Sequence, residues 1–206
     1  LGIPIVKVSM ESSSNDLSFH TETLGMIHFV WPVKNHYFTK YDSVSFGVRQ
    51  YTKSIQQGKY SDELSCYYDS SNSKLKYNDE SITVVDSIQN IFTLLSRLSK
   101  ESVSDIDAKW FPMNHEGIPH RARFLWVGVE SIEIDSANIL CDHYRLDIEK
   151  IEGNSIEVYP WDYFTDHIAS KEALRQLWVE QGGKRRVIKA SVLIYGMSVT
   201  AELQYK

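Results

Sequence analysis

Residues 82–100, ITVVDSIQNIFTLLSRLSK, form the one long stretch whose apolar residues recur with a helical period, and that stretch limits what the rest of the chain can build. Ile88, Ile91, Phe92, Leu95 and Leu98 fall at i, i+3, i+4, i+7 and i+10, and Leu94 widens the stripe. This is the spacing of one apolar face on a 3.6-residue period. Asp86 can accept a free amide at the helix start while Gln89 reaches back to it, so the expected first residue is Ser87. Arg97 and Lys100 stand near the other end, where cations interact favourably with unpaired carbonyls. Ser102, Ser104 and Asp105 then break the pattern, which predicts one helix over about 87–99. A helix of about 13 residues is marginal alone in water, so its apolar face has to be covered by something else.

Nearly everything else reads as strand. Residues 1–16 contain alternating apolar residues around Pro4 and then a polar turn, which predicts an N-terminal arm or an edge strand. Residues 17–31 carry no helical stripe and read as one or two strands, ended by Trp31-Pro32. Residues 43–55 alternate, with Val44, Phe46, Val48 and Gln50 on one face and Ser45, Gly47, Arg49 and Tyr51 on the other. Residues 56–59, QQGK, predict a turn into a strand over 60–68, and 74–78 a further short strand. Beyond the helix, 108–111 and 121–134 are strand candidates separated by a loop at 114–119.

Residues 140–149 give the clearest alternation, with Leu140, Tyr144, Leu146 and Ile148 on a dry face and Cys141, His143, Arg145, Asp147 and Glu149 on a wet one. Asp142 is the exception on the dry side. A strand over 155–159 is expected to stop at Pro160, and 166–174 is ambiguous between helix and strand. Residues 175–180 read as a strand, because Gly182-Gly183 supplies the positive φ a tight hairpin wants. The alternations over 186–195 and 198–205 complete a C-terminal meander of three strands. The expected fold is mainly β (α+β): a strongly curved antiparallel sheet or open barrel wrapped around one central amphipathic helix.

At 206 residues the chain suits a single domain over 1–206. A net charge of −5, with acidic and basic residues interspersed, argues against a general attraction to nucleic acid or anionic lipid. The cluster Lys184, Arg185, Arg186 and nearby Lys189 reads as a solvated hairpin end. No apolar run reaches the roughly 20 residues that span a bilayer, so no transmembrane segment is expected. Cys66 and Cys141 fit one disulfide or two buried thiols, and their spacing does not choose.

His115, Glu116 and His120 invite a metal reading, but the zinc-protease pattern needs two His at i and i+4 on a helix, and Gly117 and Pro119 forbid that helix. Cys141 and His143 share a strand face without a visible third partner for a metal or a nucleophile. Nucleophile elbow, phosphate loop and dinucleotide fingerprint are all missing from the sequence. The expectation is therefore a protein that is not an enzyme, with no catalytic or metal-ligating residues and no cofactor.

Asp86-Ser87 through Arg97, Gly128-x-Glu130-x-Ile132, Leu177-Trp178-Val179 with 186–190, and Tyr195-Gly196 through Ala201-x-Leu203 together resemble an uncharacterised family of exported bacterial proteins, domain of unknown function thirty-one-oh-eight. The resemblance spans about 41–205. It implies a fold similar to the periplasmic lipoprotein carriers, and a periplasmic or outer-envelope location with the leader removed from this chain. On that analogy Phe92, Leu95, Trp126, Trp178 and Tyr195 are the candidate ligand-binding residues, lining or filling a cavity between sheet and helix for a lipid or acyl group. The alternative is a structural or assembly protein of the cell envelope, with a filled core, an envelope protein as partner and no small-molecule ligand.

Overall fold

A computed structural model describes residues 6–160 and 162–203. The chain lays down seven strands, β1 (Val6–Ser12), β2 (Asp16–Thr23), β3 (Val33–Tyr41), β4 (Val48–Gln57), β5 (Tyr60–Asp69), β6 (Lys74–Tyr77) and β7 (Glu80–Thr83), then six more, β8 (Trp110–His115), β9 (Ile118–Ile134), β10 (Ala137–Lys150), β11 (Leu174–Glu180), β12 (Val187–Ile194) and β13 (Met197–Glu202). Four helices are interspersed: α1 (Gly25–Val30), α2 (Ile91–Lys100), α3 (Val103–Ile106) and α4 (Tyr163–Ala169). Strands β1 to β7 form one antiparallel sheet in sequence order and β8 to β13 a second. The mainly β expectation holds in that form. The sheet does not close into a barrel, and among the described residues α2 is one of four helices rather than the lone one.

Helix α2 begins four residues later than its stripe suggested. Asn90, not Asp86, is the cap: its Oδ1 accepts from the amides of Phe92 (3.1 Å) and Thr93 (2.9 Å), and the Thr93 hydroxyl accepts from the Asn90 amide. Residues 88–90 are extended instead, because they bridge the two sheets. The amide of Val48 donates to Ile88 O (2.8 Å), Gln89 donates to Pro112 O (3.0 Å), and Asn114 donates to Gln89 O (2.8 Å). Asp86 turns outward to Arg49 at 2.8 Å. Arg97 pairs with Glu101 one turn on and also reaches across the core, donating to Ser45 O and lying between the rings of Phe46 and Phe111.

The main core is shared by both sheets and α2. Across the first sheet Leu17, Thr39, Tyr51, Cys66 and Tyr77 stand in register on the buried side. Phe92 packs from α2 onto the rings of Phe19, Tyr37 and Tyr51. The second sheet contributes Phe124, Tyr144, Leu146 and Ile148. It is also covered on its other face, where Ile134, Cys141, Trp178 and Ile188 form a smaller cluster with Leu203 packed against it.

Several local readings change. β4 starts only at Val48, since Phe46 takes a φ of 60° and ends the apparent alternation; Val44 is exposed and Tyr51 buried. The segment read as strand over 17–31 is β2 followed by the short helix α1. Residues 155–159 are not a strand; they cross the hairpin turn of β8 and β9 with Ile156 donating to Gly117 O. The ambiguous 166–174 divides into the end of α4 and a turn before β11. Cys141 and His143 are buried rather than wet, under the second cluster, while Leu140 is exposed at the end of the β9–β10 hairpin. Asp142 is accommodated on the dry side by the Trp126 indole, the Gln181 amide and Arg185, so Arg185 belongs partly to the interior. Residues 1–206 include parts of the expected arm (1–5) and of the last strand (Gln204, Tyr205) that lie outside the described residues; Val6–Ser12 is an edge strand.

Cys66 on β5 and Cys141 on β10 are free and buried, in different sheets. Burial pushes the Cys66 thiol up to about 12 and the Cys141 thiol up to about 11. Alkylation without reductant is expected to leave the native protein almost unmodified and to add two groups once it is unfolded in urea, read by intact mass. A unfolded, unreduced protein that takes up no reagent contradicts this.

Candidate functional site

Lys53 lies on β4 between Tyr37 of β3 and Leu64 of β5, on the face turned into the protein, and is 0% exposed. A buried ammonium is expensive unless every proton finds an acceptor. Here Nζ donates to both carboxylate oxygens of Glu116, each at 2.6 Å, and to Pro160 O at 2.7 Å. Glu116 is delivered by the two-residue turn between β8 and β9, where Glu116 and Gly117 both have positive φ (47° and 86°), as the twist of a tight hairpin requires. Gly117 is also the only residue that fits sterically, since a Cβ there would stand 2.5 Å from Ile156 Cγ1.

More polar side chains gather round this pair. Tyr51 donates to Glu116 Oε1 (3.3 Å). Tyr37 donates to Asp162 Oδ2 (2.6 Å), accepts from Asn35 Nδ2 (3.0 Å), and Thr165 Oγ1 shares the same Asp162 oxygen (3.1 Å). Burial pushes the Glu116 carboxyl up, with the Lys53 ammonium opposing it, and pushes the Tyr51 and Tyr77 phenols up as well. His115 is driven down to about 3 by burial, helped by His120 and Lys53. His120 is lowered for the same first reason. The two rings meet edge-on at 6.1 Å. Among the described residues no group of three or more His, Cys, Asp and Glu is placed to hold a metal ion. With Nζ donating to three oxygens from two separate segments, Lys53 is built to hold parts of the chain together.

Asn114, on β8 one residue before His115, stands between two spaces. Its Oδ1 accepts from Tyr77 OH (2.7 Å) and the Gly117 amide (2.9 Å), and its Nδ2 has no partner. Gln89 is similar: Oε1 accepts from Arg97 and Nε2 is unpartnered. Both line a cavity of about 20 Å³ with Tyr51, Phe92, Glu116 and Thr165, room for about one water. On the other side Asn114 and His120 border a groove of about 250 Å³ walled by Val84, Val85, Ile88, Met113, Pro119 and Ile151.

The five residues expected to bind ligand are not brought together. Phe92 is buried and lines the small cavity. Leu95 is half-buried against the main core, and Trp178 lies in the second cluster, stacked on His143 at 4.4 Å with its indole donating to Glu130. Trp126 is half-exposed on β9, and Tyr195 is exposed in the β12–β13 turn. Neither space is lined by the last four. Sequence reasoning had passed over Lys53, Asn114 and the groove walls; the one available signal was a lysine at an inward position of an alternating strand.

The fold and site together define a mainly β protein of two antiparallel meanders joined by a buried ion pair. No family model matches the chain, and no curated protein matches it. Among solved structures it is similar to a DUF1089 family protein from Pseudomonas aeruginosa, at 10% identity and a TM-score of 0.46, covering 91% of this chain and 89% of that one.

Lys53→Ala leaves the Glu116 carboxylate buried without its counter-charge and is expected to cost ~3–5 kcal/mol in urea unfolding, whereas Lys53→Met with Glu116→Leu should recover most of that loss. Equal stability of the single variant and the parent would remove the pair from the architecture. His115 has a pKa depressed in the folded state to about 3 from its ordinary 6.5, so the unfolded chain binds the extra proton between those values and stability falls as pH drops through that window. His115→Gln is expected to flatten the fall between pH 6.5 and about 3 in pH-dependent melts, and an unchanged slope counts against a buried neutral His115.

Proposed function

We propose that the protein is a non-enzymatic binding module that takes a small apolar ligand, an acyl chain being the favoured class, in the groove between β7 and the β8–β9 hairpin. The observation that supports this reading is the groove itself: about 250 Å³, mainly apolar walls, and the polar Asn114 and His120 at its edge. Ligand sites commonly combine an apolar lining with a few polar groups, at volumes of about 300–1,000 Å³. The groove lies just under that range, which favours a short chain over a whole lipid. The cavity that Phe92 lines holds about 20 Å³, too little for an acyl chain, so the interior carrier cavity suggested by the resemblance moves, in this proposal, to the groove. The kinship with the thirty-one-oh-eight family and the lipoprotein carriers, and the periplasmic or outer-envelope setting, belong to the same proposal.

A fluorescent short-chain fatty acid is expected to bind saturably to the purified protein. Ile151 is 39% exposed at the groove wall, so Ile151→Trp should fill the groove with little change in melting temperature and weaken binding about tenfold or more. Absence of saturable binding by the folded parent overturns the reading and favours the alternative, a structural or assembly protein of the envelope with a filled core.

A further inference from the structure

Helix α1 carries the largest exposure of apolar side chains on the described residues. Met26 is 85%, Phe29 91%, Val30 86% and Trp31 60% exposed, within one short connection between β2 and β3. Isolated exposed hydrophobes are ordinary, but a contiguous group of this kind marks an interaction site. The group is held out by a defined scaffold. Thr23 Oγ1 donates to Trp31 O (3.2 Å) and accepts from the Val33 amide (2.9 Å), and His28 Nδ1 lies 3.1 Å from Thr23 O. The β4–β5 turn is fastened alongside, with the Gly58 amide donating to Pro32 O at 2.8 Å, and it adds the half-exposed Tyr60.

The strand register places charge just behind this tip. The two register rows nearest it contain Lys7, Lys34 and, from the adjacent turn, Lys59, against Glu22 alone. Glu22 pairs with Lys34 at 3.4 Å, and Asp62 stands one row further back. Asp62 nevertheless reaches the tip, where its carboxylate accepts from the Tyr60 hydroxyl at 3.0 Å, so three lysines against two carboxylates leave a local net charge of +1, in a chain whose net charge is −5.

From this juxtaposition we propose that the α1 tip is a membrane-docking element that inserts Phe29, Val30 and Trp31 into the interface of an anionic bilayer, with Lys7, Lys34 and Lys59 set against the headgroups. An apolar knob with an indole at its base and lysines behind it matches the layering of a bilayer surface: acyl boundary, interface, then anionic headgroups. A stable protein partner needs about 20–30 residues a side, far more than a helix of six residues presents. The negative whole explains why sequence composition argued against anionic lipid; attraction is confined to one end, which also fixes the orientation of docking. None of the groove's residues takes part.

The test is co-sedimentation of the full chain with phosphatidylcholine vesicles containing or lacking phosphatidylglycerol, at low and at moderate salt. Binding is expected with the anionic vesicles, weakened by salt. Phe29→Ser with Trp31→Ser should reduce it about tenfold or more, the loss of two buried aromatic chains, and should leave the melting temperature close to the parent's because both side chains are exposed. Lys34→Glu with Lys59→Glu should remove the preference for anionic lipid. The proposal is overturned if the parent stays in the supernatant with both vesicles, if the aromatic variant binds as well as the parent, or if analytical ultracentrifugation shows a dimer that the aromatic variant converts to monomer.

Discussion

The ammonium of Lys53 is held by oxygens from two distant parts of the chain, the Glu116 carboxylate at the β8–β9 turn and the Pro160 carbonyl just before α4. Because Lys53 projects from the middle of the first sheet and Glu116 from the second, the bond fixes how far the two sheets can separate. Tyr37 and Asp162 repeat the connection one strand over. Hydrophobic burial would hold the sheets together without these bonds, but it is non-directional and would tolerate sliding. A buried charge has few acceptable positions, so the pair specifies one arrangement among the many that apolar packing permits.

The second specifying element is the extended segment 88–90. It donates to and accepts from backbone groups of β8 and receives the Val48 amide from β4. That backbone is the reason α2 starts late: residues needed as a bridge cannot also form the first helical turn. It also separates the architecture from a continuous barrel, since the segment links Val48 of β4 to β8 through the isolated bridge of Gln89 with Met113 instead of a shared ladder.

Period and turn chemistry were legible in the sequence. The part of the stripe from Ile91 to Leu98, the β4–β5 and β11–β12 hairpins, and the inward run Tyr144, Leu146, Ile148 with Asp142 as its exception appear where period and turn chemistry placed them, while Ile88 falls in the extended segment ahead of α2. What misled was equivalence between local alternatives. Asp86 and Asn90 are both good caps, and only the tertiary demand on residues 88–90 decides between them. Residues 43–47 alternate like a strand until Phe46 adopts a left-handed backbone. Cys141 and His143 looked wet because a strand pattern reports one buried face, while the second sheet is covered on both. The site was the least legible part. A lysine in a strand ordinarily signals solvent, and its burial depends on a glutamate 63 residues away that local pattern cannot bring near.

The order of strands in each sheet is the order in the chain, so every strand pairs with its sequence neighbour. Such hairpin-by-hairpin pairing closes short loops and loses little chain entropy at most steps, the exception being the connection 151–173 between β10 and β11 that carries α4. The long-range closure is the docking of one meander on the other, and that is the step in which Lys53 must leave water. Local pairing can therefore build each meander but not this contact: Lys53 gains its three acceptors only where the two meanders meet.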